Sequence, residues 1–327
     1  MMRNPRLLLA SIVALAASLA PQTGLAAEGS FERTLKVTAP VELEISTGSG
    51  NINVRAGDAS TVRIHGAIRS SSGWHLSGDD AERKVRYLES NPPIEQSGNF
   101  IRVGHISDHS LTRNISINYD VIVPRDTRLR SETGSGSLEI EGVRGPVKAA
   151  TGSGNLKIED ISDELHAETG SGGINIREVK GQVYASTGSG SIHATGVGGS
   201  FVAKTGSGDV RLEQTRPGDG KVETGSGTVE LRGLSGALRV QTGSGSITAD
   251  GDPRGNWNLE TASGNVTVRL PAEAAFRLDA RTSSGSISSQ RSITTSGTIR
   301  RGELHGQVGQ GGSRIELGTA SGNIQID

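Results

Sequence analysis

The residues with the most obvious chemistry are a histidine pair, a trio of carboxylates and a glycine-rich motif. His105 and His109, in His-Ile-Ser-Asp-His, have the i, i+4 spacing that brings two imidazoles onto one metal ion, but only on a helix. The surrounding residues read as strand running into loop, so both are expected to be exposed and unpaired with a metal. No other histidine has a Ser and a carboxylate beside it in an arrangement that makes a triad. Glu139, Glu159 and Asp160 could approach one another as the acid and base of glycoside hydrolysis, yet a solvated face of mixed charge accounts for them equally well.

The third candidate, Thr-Gly-Ser-Gly, looks like a phosphate or metal loop until its spacing is read. Copies or one-letter variants begin at Thr47, Thr133, Thr151, Thr169, Thr187, Thr205, Thr224, Thr242, Thr261, Thr282 and Thr319. From Thr133 to Thr224 the step is 18 residues, with one step of 19. A fixed short period marks a solenoid, in which each repeat covers the apolar face of its neighbour. Toxin-type calcium rolls share this period but need an Asp after the glycines. Here that position reads Ser137, Asn155, Gly173, Ser191, Asp209, Thr228 and Ser246, which is too poor in carboxylate for repeated calcium sites.

Within one coil counted from Thr, position six holds Leu138, Leu156, Ile174, Ile192, Val210, Val229 and Ile247. Position eight holds Ile140, Ile158, Ile176, Ala194, Leu212, Leu231 and Ala249, and the residues between are polar. This period of two predicts a strand with one buried face. A second strand follows at positions fifteen and seventeen, with Val147, Leu165, Val183, Phe201 and Leu238, then Ala149, Ala167, Ala185, Ala203 and Val240. The same alternation turns Thr133, Thr151, Thr169, Thr187, Thr205, Thr224 and Thr242 inward. Each is read as a structural corner, with its methyl on the core and its hydroxyl satisfying turn amides while the glycines supply positive φ.

The fold class is therefore all-β: a parallel β-helix or β-solenoid with coils of about 18 residues and two short strands per coil. A left-handed acyltransferase-type helix would need apolar positions every six residues, which this chain lacks. Outward position seven runs Glu139, Lys157, Asn175, His193, Arg211, Glu230, Thr248 and mixes signs, so no single charged polymer is addressed. Outward Thr is too sporadic for an ice-binding face.

The remaining organisation is set by the chain ends. Residues 1–26 carry a basic start, the apolar run Leu7 to Leu19 and a small-residue end, the pattern of a secretory signal peptide cut near Ala26. Residues 27–132 are expected to form an N-terminal β cap with one short helix near 79–90, where Asp79 starts a 3.6 period in Ala81, Val85 and Leu88 ahead of Pro92. Regular coils are expected over 133–295 and capping coils over 296–327. Loss of Arg3 and Arg6 leaves 32 basic against 35 acidic residues with no like-charge block, which gives no support for nucleic acid as a partner. There is no cysteine, hence no disulfide and no lipoprotein anchor, and no second apolar stretch long enough to span a membrane.

This pattern resembles the bacterial "putative adhesin" family, a domain of unknown function that repeats Thr-x-Ser-Gly-x-Ile-x-Val on a β-solenoid. The likeness runs from Phe31 to Val54, with Leu35, Val37, Val41, Leu43 and Ile45, through Tyr119-Asp120-Val121-Ile122-Val123-Pro124, to Gly302-Glu303-Leu304 and onward to Asp327. It implies a right-handed β-helix with an envelope or surface role, and it brings no catalytic residues.

The expected function is thus an exported, non-enzymatic, adhesin-like binding or scaffold protein, periplasmic or on the cell surface, with an envelope glycan or protein as partner. No catalytic, cofactor-binding or metal residue is assigned. The alternative is a carbohydrate-active enzyme, of polysaccharide lyase or hydrolase type, on the same scaffold; an accessory role in envelope stress is a third reading.

Overall fold

The computed structural model describes residues 26–57, 60–71, 78–295 and 301–327; the expected signal peptide lies outside them except for Ala26. The described strands form two sheets of 14 and 15 strands, parallel through the repeat array. Each coil contributes one strand to each sheet. In the first sheet Leu138, Leu156, Ile174, Ile192 and Val210 are successive partners, and Val147, Leu165, Val183 and Phe201 are successive partners in the second. Leu138, Leu156, Ile174, Ile192, Val210, Val229 and Ile247 are each at most 1% exposed. Two inward rows of aliphatic side chains therefore face each other along one continuous core.

The corners show why the motif has these four residues. The seven corner threonines from Thr133 to Thr242 are buried, and each Oγ1 donates to a glycine carbonyl of the preceding coil: Thr151 to Gly136 O at 2.8 Å, Thr169 to Gly154 O at 2.8 Å, Thr187 to Gly172 O at 2.9 Å. The hydroxyl thus acts as a donor between coils, where the sequence suggested an acceptor for turn amides. Both glycines are required by stacking. A Cβ on Gly152 would lie 2.5 Å from Gly134 O, and one on Gly154 would lie 1.9 Å from Gly136 O. In the copies from Thr133 to Thr187 neither corner glycine takes a left-handed φ and close backbone approach is the reason for glycine, whereas in the copies from Thr205 to Thr242 the second glycine also has the expected positive φ, at 158°, 150° and 144° for Gly208, Gly227 and Gly245. The position considered for calcium has a structural use instead: Asn51 Oδ1 accepts from Ser137 N at 2.9 Å, Asn155 Oδ1 from Gly173 N at 2.8 Å and Asp209 Oδ1 from Thr228 N at 2.9 Å. Short acceptors there bind one coil to the next.

A left-handed conformation also recurs at the bend after the first strand. Gly142, Gly196 and Gly233 have φ of 77°, 71° and 67°, and Asp160 and Glu178 occupy equivalent places at 51° and 55°. A β-carbon in that region costs about 1–2 kcal/mol, partly offset by the freedom a glycine loses on folding. Glu178→Gly is therefore expected to stabilise the protein by about 0.5–1 kcal/mol, read as a higher midpoint in thermal unfolding; an unchanged or lower midpoint would contradict this account of the bend.

One core position breaks the apolar rule. Gln214, 3% exposed, is the register partner of Val197. Its Nε2 donates to Gly199 O and Gly218 O, each at 3.0 Å, and its Oε1 accepts from Ser235 N at 3.2 Å. With three bonds made, the buried amide carries little desolvation penalty and ties together loops of three coils.

At the N-terminal end the strand Val41–Thr47 and the strand Ile52–Gly57 form a coil stacked directly against Thr127–Thr133 and Leu138–Glu141. The intervening chain builds a further layer outside it. That layer ends in antiparallel strands, with a helix over Gly78–Ser90 laid on them through Ala81, Val85 and Leu88. A second helical turn, His109–Thr112, begins at Asp108, which accepts from Ser110 N at 2.9 Å. The sequence pattern predicts one helix; this extra turn is too short to show a 3.6 period.

The C-terminal end departs further from expectation. Residues 313–326 do not lie outermost. Ser313–Ser321 pairs with Trp257–Ser263 on one side and Phe276–Ser284 on the other, and Ile324–Ile326 lies between Val266–Arg269 and Ile287–Ser289. The final coil is intercalated, and the coil that precedes it in sequence is pushed one layer outward. Glu303–Val308 covers that outer coil as an antiparallel strand. An exposed parallel edge is a template for unwanted pairing, and the reversal of direction covers it.

Candidate functional site

The two outward faces differ. On the first sheet, charge neighbours neutralise one another: Lys157 Nζ lies 2.7 Å from Glu139 Oε1 and 3.5 Å from Glu159 Oε1, Arg177 pairs with Glu159, and Arg211 Nε lies 3.6 Å from Glu230 Oε2. Donation to Glu139 holds the Lys157 ammonium above its ordinary pKa, and the bond that Glu159 accepts from Arg177 holds its carboxyl below its own. Of the carboxylates weighed from sequence as catalytic acids, Glu139 and Glu159 thus stand in an ion-pair ladder, and Asp160 lies exposed at the bend beside them. His193 lies exposed in the same column, and His105 and His109 are exposed. Among the described residues no group of three or more His, Asp or Glu is placed to hold a metal ion.

The second sheet carries a groove of about 560 Å³ across its outward face. Parallel in-register pairing puts Glu44, Arg130, Lys148, His166, Tyr184 and Val202 on successive strands in one row. Arg128 stands beside this row, partnered in register by Glu42. With strands about 4.8 Å apart, side chains from neighbouring coils touch. His166 and Tyr184 do so face to face, their ring centroids 4.3 Å apart and their planes 7° from parallel.

Several charges along the groove are already matched. Glu44 Oε2 is 3.1 Å from Arg102 Nε, Arg130 Nη2 is 2.7 Å from Glu132 Oε1, and His166 Nε2 is 2.9 Å from Glu168 Oε1. The Glu168 contact orients the imidazole of the stacked pair. Among the described residues, Arg128 and Lys148 have no side-chain hydrogen bond or ion pair. The groove therefore offers two available cations, an aromatic-imidazole platform and an apolar floor of Val147, Leu165, Val183 and Phe201 backbone and edges. That combination suits a ligand with flat or ring surfaces and hydrogen-bond acceptors.

The corner threonines and the first-strand core row from Leu138 to Ile247 do not line the groove. The groove residues sit in outward column sixteen, one residue beyond the apolar position fifteen. The signal that could have found them was the 18-residue spacing of His166 and Tyr184, since aromatic residues are rare in this chain, with 3 Tyr, 2 Trp and 4 Phe.

No helix among the described residues is long and apolar enough to cross a membrane. No curated protein matches the chain. A solved "putative cell adhesion protein" from Clostridium sporogenes ATCC 15579 aligns at 12% identity over 92% of this chain and 99% of its own, with a TM-score of 0.23. A solved "putative adhesin" from Bacteroides fragilis NCTC 9343 aligns at 9% identity over 91% of this chain and 97% of its own, with a TM-score of 0.28. The family model described as Toastrack DUF4097 matches residues 162–327, which takes in the intercalated C-terminal coil and half of the chain. The chain belongs to the Toastrack DUF4097 family.

Proposed function

We propose that this protein is an exported, non-enzymatic binding or scaffold component of the cell envelope, and that the second-sheet groove is its contact surface. The observation that carries the reading is the row Arg130, Lys148, His166, Tyr184, in which rigid in-register strands present cations and a stacked aromatic platform over a groove of about 560 Å³. An envelope glycan, with ring faces and acceptor oxygens, fits this surface.

The test is to pass envelope fractions and a glycan panel over immobilised protein, scoring both retention and breakdown. Retention without breakdown is expected, and Tyr184→Ala and Lys148→Ala should each weaken it by about tenfold, the equivalent of about 1.4 kcal/mol per lost anchor. Glycan breakdown would point to the carbohydrate-active alternative; undiminished retention by both variants would remove the groove from consideration.

A further inference from the structure

The C-terminal coil sits in a slot that the rest of the chain leaves open. After Val266–Arg269 the chain runs through residues 270–275 directly into Phe276–Ser284, which lies one layer too far out to pair with Trp257–Ser263. The missing layer is supplied last, by residues 313–326. Trp257, Leu259 and Thr261 are the partners of Ile315, Leu317 and Thr319 on one side, and Leu278, Ala280 and Thr282 are their partners on the other. Ile324 and Ile326 similarly lie between Val266 with Val268 and Ile287 with Ser289.

The inserted segment joins its neighbouring strand through a short hinge. Glu303–Val308 lies outside Phe276–Ser284 and Ser313–Ser321 lies inside it, so Gly309-Gln310-Gly311-Gly312 must carry the chain across an intervening strand. That crossing covers two strand spacings, roughly 9.6 Å. Gly309 and Gly311 have φ of 63° and 75°, and Gly311 N donates to Val308 O at 3.2 Å. The hinge is tightly turned yet contains three glycines, so an extended conformation is open to it.

We propose that this slot is also a docking site for a second copy of the chain, which inserts its own residues 313–326 in exchange. Every ladder bond, buried aliphatic contact and Thr hydroxyl bond of the inserted coil is the same whether the donor is its own chain or a partner. Only the hinge changes, from turned to extended. Tight, short hinges of this kind favour exchange of identical elements, and reciprocal exchange closes a two-fold dimer. The coils from Thr133 to Asp252 lack this freedom, because each is continuous in sequence with the coils on both sides and cannot leave without dissolving the array.

The test uses two full-length single-cysteine chains, since the protein has no cysteine of its own. Glu260 and Gly318 are register partners on the outward face, and a Cβ at Gly318 would lie 3.6 Å from Glu260 Cγ, an ordinary contact. The Glu260→Cys chain and the Gly318→Cys chain are mixed, unfolded, refolded together at high concentration and oxidised. Exchange predicts that the mixed disulfide dimer exceeds either same-variant dimer by about a hundredfold, because its thiols are held together and do not rely on collision. Mixed and same-variant dimers in equal yield, or monomer alone, would overturn the proposal. Asn258→Cys with Glu316→Cys, the next outward pair, repeats the measurement on an independent rung should either first variant fold poorly.

Discussion

Ile176→Asp is expected to unfold its coil and the coils on either side, whereas His193→Ala should leave the unfolding midpoint nearly unchanged. Ile176 is 0% exposed and lies between Ile158 and Ala194 in the first sheet. Aspartate there removes an aliphatic contact and places a carboxyl group where neither water nor a cation reaches it. The combined cost is about 5 kcal/mol or more, in the range of the most damaging single substitutions. A solenoid spreads such damage, because each coil is stabilised only through its neighbours. His193 stands one column away on the solvated face, and trimming it should alter stability by less than about 0.5 kcal/mol. Urea unfolding followed by circular dichroism separates the two outcomes. Equal shifts would mean that the inward and outward columns are wrongly assigned.

Removal of residues 313–327 should release far more of the chain than it deletes. Ile315, Leu317, Ile324 and Ile326 are each at most 2% exposed, and at about 1.5–3 kcal/mol per buried aliphatic side chain their loss removes about 6–12 kcal/mol. This is an upper figure, since an unfolded chain already hides part of its apolar surface. Among the described residues the strands of the outer coil pair with the array through this segment alone, so the outer coil loses that attachment while coils before Trp257 keep theirs. Limited proteolysis should cut the truncated protein within 270–312 and spare 127–255. Trp257, fully buried in the intact chain, should shift its emission to the red. Equal protection of 270–312 in both proteins would show that the outer coil docks without the inserted layer.

Much of the architecture was legible because it is encoded locally and repeated. Leu138 and Ile140, or Leu156 and Ile158, reveal a strand by alternation alone, and the 18-residue step aligns them into columns. The inward Thr followed from the same count. What could not be read depends on choices between equivalent sequences. Thr282 and Thr319 both begin usable coils, and nothing local decides which stacks on Thr261; the antiparallel strand Glu303–Val308 and the glycine hinge make that selection in three dimensions. Gln214 was hidden for a related reason, as a polar residue in an apolar column reads as outward until its three backbone partners are seen. The groove is hidden because column sixteen, with Arg130, Lys148, His166, Tyr184 and Val202, repeats no residue type. Its stacked rings belong to residues 18 apart that only the second sheet makes adjacent.

The corner hydroxyls give the molecule a direction. Thr319 donates to Gly264 O and Thr282 to Gly322 O, so even in the layers whose chain order is reversed every hydroxyl points back toward the layer nearer the N-terminal end. The rod is accordingly vectorial, with its two ends chemically unlike: one presents carbonyls already taken, the other a glycine carbonyl at Gly285 with no threonine above it among the described residues.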